Sequence, residues 1–200
     1  DGTAYLLDGV KLWTTNGPIA ELLVVMAVVP PHGDQHGDRH GGITAFVVEA
    51  STPGGITVEH RNRFMGLRGM ENGVTRFRQV RVPAANRLGR EGEGLKIALT
   101  TLNTGRLSIP AICAGGSKWA LSIARQWSTE RVQWGGRPVG EHEAISSKLA
   151  FIAATAFALE SVFDLSARLA DTGQKDVRIE AALAKLWASE MGYRVADELV

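Results

Sequence analysis

The order of hydrophobic and polar positions changes near residue 90, and this change divides the chain into two predicted regions. Before residue 90, short valine-rich runs are separated by glycine, proline and asparagine, which is typical of antiparallel strands. After residue 94, apolar residues recur at the three- and four-residue steps of packed helices. We therefore predict an α+β protein, with an antiparallel β-sandwich or barrel over residues 1–90 and part of an antiparallel helical bundle over residues 91–200.

The first region contains about six predicted strands. Asp8-Gly9 lies between two apolar arms within Leu6–Leu12, and this dipeptide predicts a two-residue hairpin turn. The other predicted strands are Glu21–Val29, Ile43–Glu49, Gly55–His60 and Gly73–Val82. Pro83, which has no backbone donor, is expected to end the last strand.

The second region begins with a predicted helix from Leu95 to about Ser128, in which Pro110 is expected to cause a bend. A glycine-rich loop over residues 135–140 follows this helix. The second helix starts near Ala144, and its apolar seam indicates packing in a bundle. The seam residues are Ile145, Leu149, Ile152, Ala156, Leu159 and Phe163.

Asp171-Thr172-Gly173 is expected to end the second helix, because glycine favours helix C-termini. Ile179, Leu183 and Leu186 predict the seam of a third helix. The chain stops at Leu199-Val200 within this predicted helix, so we interpret it as a fragment of a longer protein. We expect the 200-residue span alone to be inactive.

Composition excludes some classes of function. The hydrophobic share of 44% is enough for a core, and 22 basic residues nearly balance 21 acidic ones. A nucleic-acid partner that binds through bulk positive charge is therefore not expected. No segment approaches the ~20 apolar residues of a membrane span. Cys113 is the only cysteine, so no disulfide can form within the chain and we expect a reducing compartment such as the cytoplasm.

His32, His36 and His40 are spaced four residues apart, as metal ligands on a helix would be. The surrounding glycines and prolines disfavour a helix, so a mobile hairpin loop is the favoured interpretation and a metal site the alternative. The chain has no dinucleotide-binding glycine motif and no Walker phosphate loop. His60 and His142 lack the motif context of a catalytic triad.

Two short segments carry candidate chemistry. Trp13 and Thr15 lie two residues apart at a predicted strand end, where an indole and a hydroxyl on one face suit a flat heteroaromatic ligand. An ordinary edge strand with a half-buried tryptophan is the alternative. At a predicted helix end, Arg131 and Gln133, next to Trp134, could hold an anionic group. A solvated helix terminus is the alternative there.

These segments and the motifs between them resemble the acyl-CoA dehydrogenase family over essentially the whole chain. The strand end Trp13–Gly17 resembles the strand beside the flavin in that family, and Glu130–Gly135 resembles its flavin contact across the dimer. The remaining matching motifs follow in family order: Phe64–Gly69, Val80–Pro83, Leu88–Gly94 and Asn103–Arg106.

The resemblance implies a helical N-terminal domain, a middle β-domain and a C-terminal four-helix bundle, with FAD between the last two domains. It implies that Trp13 packs along the isoalloxazine and that the Thr15 hydroxyl bonds near flavin N5. Arg131 and Gln133, beside Trp134, would reach the FAD pyrophosphate of a neighbouring subunit. Asn103 and Arg106 would bind the acyl-CoA substrate, in a homodimer or homotetramer.

The implied reaction belongs to fatty-acid β-oxidation. A glutamate removes the α-proton while the β-hydride passes to the flavin, and electrons leave to an electron-transfer flavoprotein. No catalytic base is identified in this chain. Some relatives place it just before the arginine that matches Arg106, where this chain has Gly105, so we expect the base beyond Val200. Glu190 is interpreted as a paired interhelical carboxylate.

Two alternatives stay open at this stage. An acyl-CoA oxidase or flavin monooxygenase of the same fold would let oxygen reach the reduced flavin. A non-catalytic interaction module would use the β-domain and the helices for assembly alone.

Overall fold

The computed structural model describes residues 2–33, 40–172 and 176–200, and the backbone alone of His40. The chain forms two compact units, Asp1–Leu99 and Thr100–Val200. The domain boundary near residue 90 stays a prediction. In chain order the first unit contains the strands β1 (Ala4–Thr15), β2 (Leu22–His32), β3 (His40–Glu49), β4 (Gly55–Arg61), β5 (Asn72–Pro83) and β6 (Arg87–Leu88).

The described strands of the first unit form two antiparallel three-stranded sheets, in the orders β1-β5-β4 and β2-β3-β6, and no closed barrel. Apolar side chains from both sheets share one core, which makes the unit a sandwich. Phe46 is fully buried at its centre, and its ring lies 4.8 Å from that of Tyr5. The other core residues are Leu7, Val25, Val29, Val48, Phe77, Val80 and Val82.

The predicted hairpin turn at Asp8-Gly9 is wrong, because β1 continues through both residues. Leu7 pairs with Val80 and Gly9 with Phe77, so β5 carries one extra residue opposite Asp8. Gln79 in this bulge has a φ of 49°, and its backbone N–H donates to Asp8 Oδ1 at 2.9 Å. The aspartate that suggested a turn therefore satisfies the backbone of a β-bulge on the neighbouring strand.

The second unit contains most of a long helix, α1 (Gly94–Glu130), a small hairpin of β7 (Val132–Gln133) and β8 (Arg137–Pro138), and the helices α2 (Glu143–Asp171) and α3 (Arg178–Glu198). α1 continues through Pro110, and the expected bend there stays a prediction. Gly173, which was expected to end α2, lies outside the described residues, whereas the helix itself ends at Asp171.

Contacts define the directions of these helices. Lys118 of α1 bonds Glu160 of α2 at 2.7 Å, and Ser128 lies with Ile145 along one groove, so α1 and α2 are antiparallel. Lys148 at the start of α2 bonds Glu198 at the end of α3 at 3.0 Å, so α2 and α3 are antiparallel as well. The core of this unit is made by Ala114, Leu159 and Ala188, one from each helix.

The predicted seam of α2 is confirmed, with Ile152, Ala156 and Leu159 buried. By length and composition α2 could also cross a membrane, which the sequence expectation overlooked because Glu160 and Asp164 interrupt its apolar residues. A core helix of a helical domain has the same length and composition, and the buried face of α2 packs against α1 and α3.

The predicted seam of α3 is wrong. Ile179, Leu183 and Leu186 are exposed, and the buried face consists of Ala181, Ala184, Ala188 and Val195. Small side chains form this face because the helices approach closely: a Cβ on Gly192 would lie 3.0 Å from the Sγ of Cys113. Glu190 is exposed and has no ion-pair partner among the described residues, so its predicted pairing stays a prediction.

A buried carboxylate fixes the loop that leads from the sandwich into α1. The Glu91 side chain is 8% exposed and accepts hydrogen bonds from the Tyr5 hydroxyl at 2.5 Å and from His32 Nε2 at 2.8 Å. Arg87 donates to the same tyrosine oxygen at 2.9 Å. The hydrogen bond from Tyr5, above all, holds the pKa of Glu91 below its usual value, and the contact with Glu91 raises the pKa of Tyr5.

Glu91→Gln is expected to make the unfolding free energy depend less strongly on pH in the acid range. Because the folded pKa of Glu91 is depressed, its contribution is complete above the unfolded value of about 4.3 and is lost as pH falls through the folded value. The variant should lower the unfolding free energy by about 1–3 kcal/mol at pH 7, with the difference shrinking in acid. Thermal unfolding of the complete protein between pH 3 and pH 7 measures this.

Glu49→Gln is the matched control, since Glu49 is exposed and has no ion pair among the described residues. Its unfolding temperature should follow that of the parent protein at every pH. Equal unfolding curves for Glu91→Gln and Glu49→Gln would show that the Glu91 cluster contributes nothing to stability.

Candidate functional site

The end of β1 is distorted by a bulge that contains Trp13. Lys11 pairs with Thr75 and Thr14 with Gly73, so two residues of β1 lie opposite Val74 alone. Trp13 has a φ of 50°, a conformation that bulky side chains seldom adopt and that occurs at functional sites as well as in structural bulges. Its indole is 73% exposed.

The two threonines after Trp13 have different surroundings. Thr14 is partly buried, and its hydroxyl donates to the carbonyl oxygen of Gly73 at 2.9 Å and lies 3.0 Å from the hydroxyl of Thr75. Thr15 is exposed, and its Oγ1 accepts a hydrogen bond from Asn72 Nδ2 at 3.0 Å. Trp13 and Thr15 are therefore both open to an incoming ligand, whereas Thr14 is part of the sandwich.

Asn72 connects Thr15 to the loop after β4. This asparagine is 4% exposed, and its Oδ1 accepts a hydrogen bond from Asn62 Nδ2 at 2.7 Å. The backbone N–H of Asn62 donates to the carbonyl oxygen of Asn72 at 2.8 Å, which holds the two residues side by side. The sequence offered no signal for this chain of amides, because Asn62 and Asn72 lie far from Thr15 along the chain.

The second candidate segment follows the C-terminus of α1, as predicted. Arg131 donates its backbone N–H to Trp127 at 2.9 Å and accepts from Val139 at 2.7 Å, so both its peptide groups are fixed. Its side chain is exposed and has no carboxylate partner in the described parts of the chain. Gln133 pairs with Arg137 in the β7-β8 hairpin. The guanidinium of Arg131 and the amide of Gln133 therefore both lie just after the C-terminus of α1.

Trp134 and His142 form a pair that the sequence analysis missed. Trp134 turns the hairpin with a φ of 45°, and its ring meets the His142 imidazole edge to face at 5.3 Å. His142 precedes α2, and its carbonyl oxygen accepts from the backbone of Ile145 and Ser146. Its Nε2 is buried and has no hydrogen-bond partner among the described residues. Such an atom is costly unless a further group bonds it.

Asn103 and Arg106 lie one turn apart on α1, and Arg106 Nη1 donates to Asn103 Oδ1 at 3.1 Å. Pro110 cannot donate to the carbonyl of Arg106, four residues before it, so the helix lacks a backbone bond at this turn. Between the two polar residues, a Cβ on Gly105 would meet no atom within 4 Å. The position has room for a side chain that this chain does not have.

Among the described residues, no group of three possible metal ligands is found, and the alternative of a metal site at His32, His36 and His40 stays a prediction. His32 bonds Glu91. His36 and the side chain of His40 lie outside the described residues, so the predicted loop stays a prediction.

Models of two acyl-CoA dehydrogenase domains match most of the chain, the middle domain over residues 1–80 and the C-terminal domain over residues 92–200. The chain belongs to the acyl-CoA dehydrogenase family. This confirms the resemblance of the motifs around Trp13 and Arg131, and the sandwich and the helices are those of that family's middle and C-terminal domains.

Individual relatives agree with this membership. The chain is 67% identical over 200 residues to probable acyl-CoA dehydrogenase FadE10 of Mycobacterium tuberculosis, and 37% identical to the very long-chain specific mitochondrial acyl-CoA dehydrogenase of Mus musculus. Each alignment covers 100% of this chain, which spans only 30% of either relative. The solved structure of butyryl-CoA dehydrogenase from Megasphaera elsdenii matches with a TM-score of 0.85 and 35% identity, over 98% of this chain and 49% of that one.

Proposed function

We propose that the complete protein is an FAD-dependent acyl-CoA dehydrogenase, which oxidises an acyl-CoA to the 2,3-enoyl-CoA. The observation that carries the proposal is the end of β1, where the exposed indole of Trp13 lies two residues from the exposed hydroxyl of Thr15. Binding a flat ring system requires an apolar surface for stacking and a hydrogen-bond donor at the edge of the ring, and this strand end provides both. The chain that carries them belongs to the acyl-CoA dehydrogenase family.

The residues present fit a dinucleotide flavin. Arg131 is an exposed cation without a partner in the described residues, which suits a pyrophosphate. His142 Nε2, whose ring meets that of Trp134 edge to face, is a buried nitrogen that lacks a partner in the same part of the chain. We propose that Arg131 and Gln133, beside Trp134, hold the pyrophosphate of a neighbouring subunit's FAD. When bound, FAD supplies the acceptor for the substrate's β-hydride.

The proposed tasks of this chain are orientation and binding. Trp13 would cover one face of the isoalloxazine, and the Thr15 hydroxyl would donate to N5 and so polarise it. Asn103 and Arg106 are proposed to bind the acyl-CoA. The base that removes the α-proton is not assigned to this chain, because the position that some relatives use, just before Arg106, is Gly105, which has no side chain to accept a proton.

The proposed partners follow from the same function. A reduced flavin enclosed by protein must pass on its electrons, and we propose an electron-transfer flavoprotein as the acceptor. A pyrophosphate contact between subunits requires at least a homodimer, and a homotetramer is consistent with it. We propose the cytoplasm, or the mitochondrial matrix in a eukaryote, as the compartment.

Thr15→Ala in the complete protein is expected to slow flavin reduction by roughly tenfold while FAD affinity changes less. One hydrogen bond at N5 acts directly on the redox step, and ~1.4 kcal/mol corresponds to a factor of ten in rate. The remaining flavin contacts are retained. Anaerobic stopped-flow reduction by acyl-CoA measures the rate, and equilibrium dialysis of FAD measures affinity.

Thr14→Ser is the matched control, because the Thr14 hydroxyl bonds within the sandwich and not outward. It should reduce its flavin at the parent rate. Equal reduction rates for the parent protein and Thr15→Ala would remove the role proposed for Thr15.

The reaction class has its own test. Purified complete protein should carry flavin absorption and reduce an artificial electron acceptor when acyl-CoA is added, with little oxygen consumed. Oxygen consumption that matches substrate turnover would assign an oxidase or monooxygenase. A colourless protein that takes up no FAD would favour a non-catalytic module.

A further inference from the structure

The hydroxyl of Thr15 has a defined direction, because its oxygen already serves as an acceptor. Asn72 Nδ2 donates to Thr15 Oγ1 at 3.0 Å. A hydroxyl carries one proton and two acceptor lone pairs, so the proton of Thr15 is left to be donated to a group other than Asn72. Thr15 is exposed, so this proton is available to a ligand that binds from the solvent side.

The direction of the Asn72 amide depends in turn on Asn62. Asn62 Nδ2 donates to Asn72 Oδ1 at 2.7 Å, so the Asn72 oxygen faces Asn62 and its nitrogen faces Thr15. Asn72 is 4% exposed and paired with Thr15 in the β1-β5 ladder, so water does not compete freely for its amide. The chain of donors runs from Asn62 through Asn72 to Thr15.

Only one other arrangement satisfies all three groups. If both amides are rotated by half a turn, Thr15 donates to Asn72 Oδ1 and Asn72 donates to Asn62 Oδ1. The Thr15 proton is then used within the protein. The two arrangements differ in one respect that matters for the site, which is whether Thr15 can donate outward.

We propose that Asn72, oriented by Asn62, is a positioning residue that makes Thr15 a hydrogen-bond donor to flavin N5. The inference rests on the proposed function, in which Thr15 lies beside N5. Oxidised flavin has an acceptor at N5, so the arrangement in the structure is the one that matches the oxidised cofactor before hydride transfer. Asn62 and Asn72 act through Thr15 and need not touch the flavin.

The test reverses the direction of the hydrogen bonds from Asn62 through Asn72 to Thr15 and keeps side chains of the same size. Asn72→Asp replaces the donor that faces Thr15 with an oxygen, so Thr15 donates inward. Asn62→Asp makes position 62 an acceptor, so the Asn72 amide rotates and presents its oxygen to Thr15. Thr75→Val is the control, since it removes the neighbouring contact with Thr14 and leaves the chain of amides intact.

Each complete variant is reconstituted with FAD labelled with ¹⁵N at N5, and the N5 resonance is measured by solid-state NMR. Asn72→Asp and Asn62→Asp should move the resonance to its position in Thr15→Ala, towards that of flavin without a hydrogen bond. Both should slow anaerobic flavin reduction about as much as Thr15→Ala, roughly tenfold. Thr75→Val should keep the parent resonance and rate.

A double variant separates the proposed path from a structural effect. In the Thr15→Ala background, adding Asn72→Asp should change neither the resonance nor the reduction rate further. If the buried carboxylate that Asn72→Asp introduces prevents folding, Asn62→Asp alone decides the question, because Asn62 is only partly buried.

The outcomes distinguish the two proposals. An N5 resonance that Thr15→Ala leaves unchanged would refute the placement of Thr15 beside the flavin. A resonance that moves in Thr15→Ala but not in Asn62→Asp would overturn the role of the asparagines and leave that placement standing. A full effect of Asn72→Asp in the Thr15→Ala background would also overturn it.

Discussion

Arg131→Ala in the complete protein is expected to weaken FAD binding by about 10- to 150-fold. A charge-assisted hydrogen bond to a pyrophosphate contributes roughly 1.5–3 kcal/mol, and each 1.4 kcal/mol is a factor of ten in the dissociation constant. The peptide groups of Arg131 are bonded to Trp127 and Val139, so the substitution removes the guanidinium without loosening the helix end. Fluorescence titration of the apoprotein with FAD measures the constant.

Arg125→Ala is the control for charge. Arg125 is exposed in the last two turns of α1, six residues before Arg131, and its loss changes the net charge equally. It should bind FAD with the parent affinity. The assignment of Arg131 fails if Arg131→Ala retains the parent flavin stoichiometry through dilution and gel filtration.

Leu159→Ala is expected to lower the unfolding free energy of the helical region by about 2–5 kcal/mol, the usual range for a leucine truncated in a packed core. Leu159 is 0% exposed and lies against Ala114 and Ala188, whose short side chains cannot fill the space that it leaves. A loss of this size is a large fraction of the stability of a domain, about 5–15 kcal/mol. Urea unfolding followed by far-ultraviolet circular dichroism measures it.

Leu165→Ala removes the same atoms from the same helix at a position that is 61% exposed. Its expected cost is below about 1 kcal/mol, since little apolar area returns to water. Equal losses for the two variants would contradict a core centred on Leu159.

Hydrophobic patterning predicted this fold where large side chains carry the packing. The seam of α2 was found because Ile152 and Leu159 mark the buried face with bulky apolar groups. The buried face of α3 was not found from the sequence. Ala188 and Gly192 lie on this face where α3 packs closely against α1, and they have little or no side chain to form a hydrophobic pattern. A hydrophobic pattern is recognised from bulky apolar side chains, whereas helices that pack closely together need small side chains at their contact.

The candidate site shows a similar division. The positions of Trp13 and Arg131 at the ends of a strand and a helix follow from local sequence, as Asn-Gly and Gly-Gly mark the turns that come after them. Asp8-Gly9 was wrongly predicted to form a hairpin turn, because the same residue types occur in turns and beside β-bulges. Only the pairing of β1 with β5 distinguishes the two structures. Asn72 and His142 could not be found, since their partners are brought near by tertiary folding.

The close approach of α1 and α3 also places a native cysteine where its reactivity can report the separation of these two helices. Cys113 is the single thiol of the chain, and its Sγ faces Gly192 across that contact. Cys113 is partly buried, and this burial raises the pKa of its thiol, which favours the protonated and less reactive form. A bulky neutral thiol reagent should therefore modify Cys113 faster under conditions in which α1 and α3 separate, with no label or cysteine introduced.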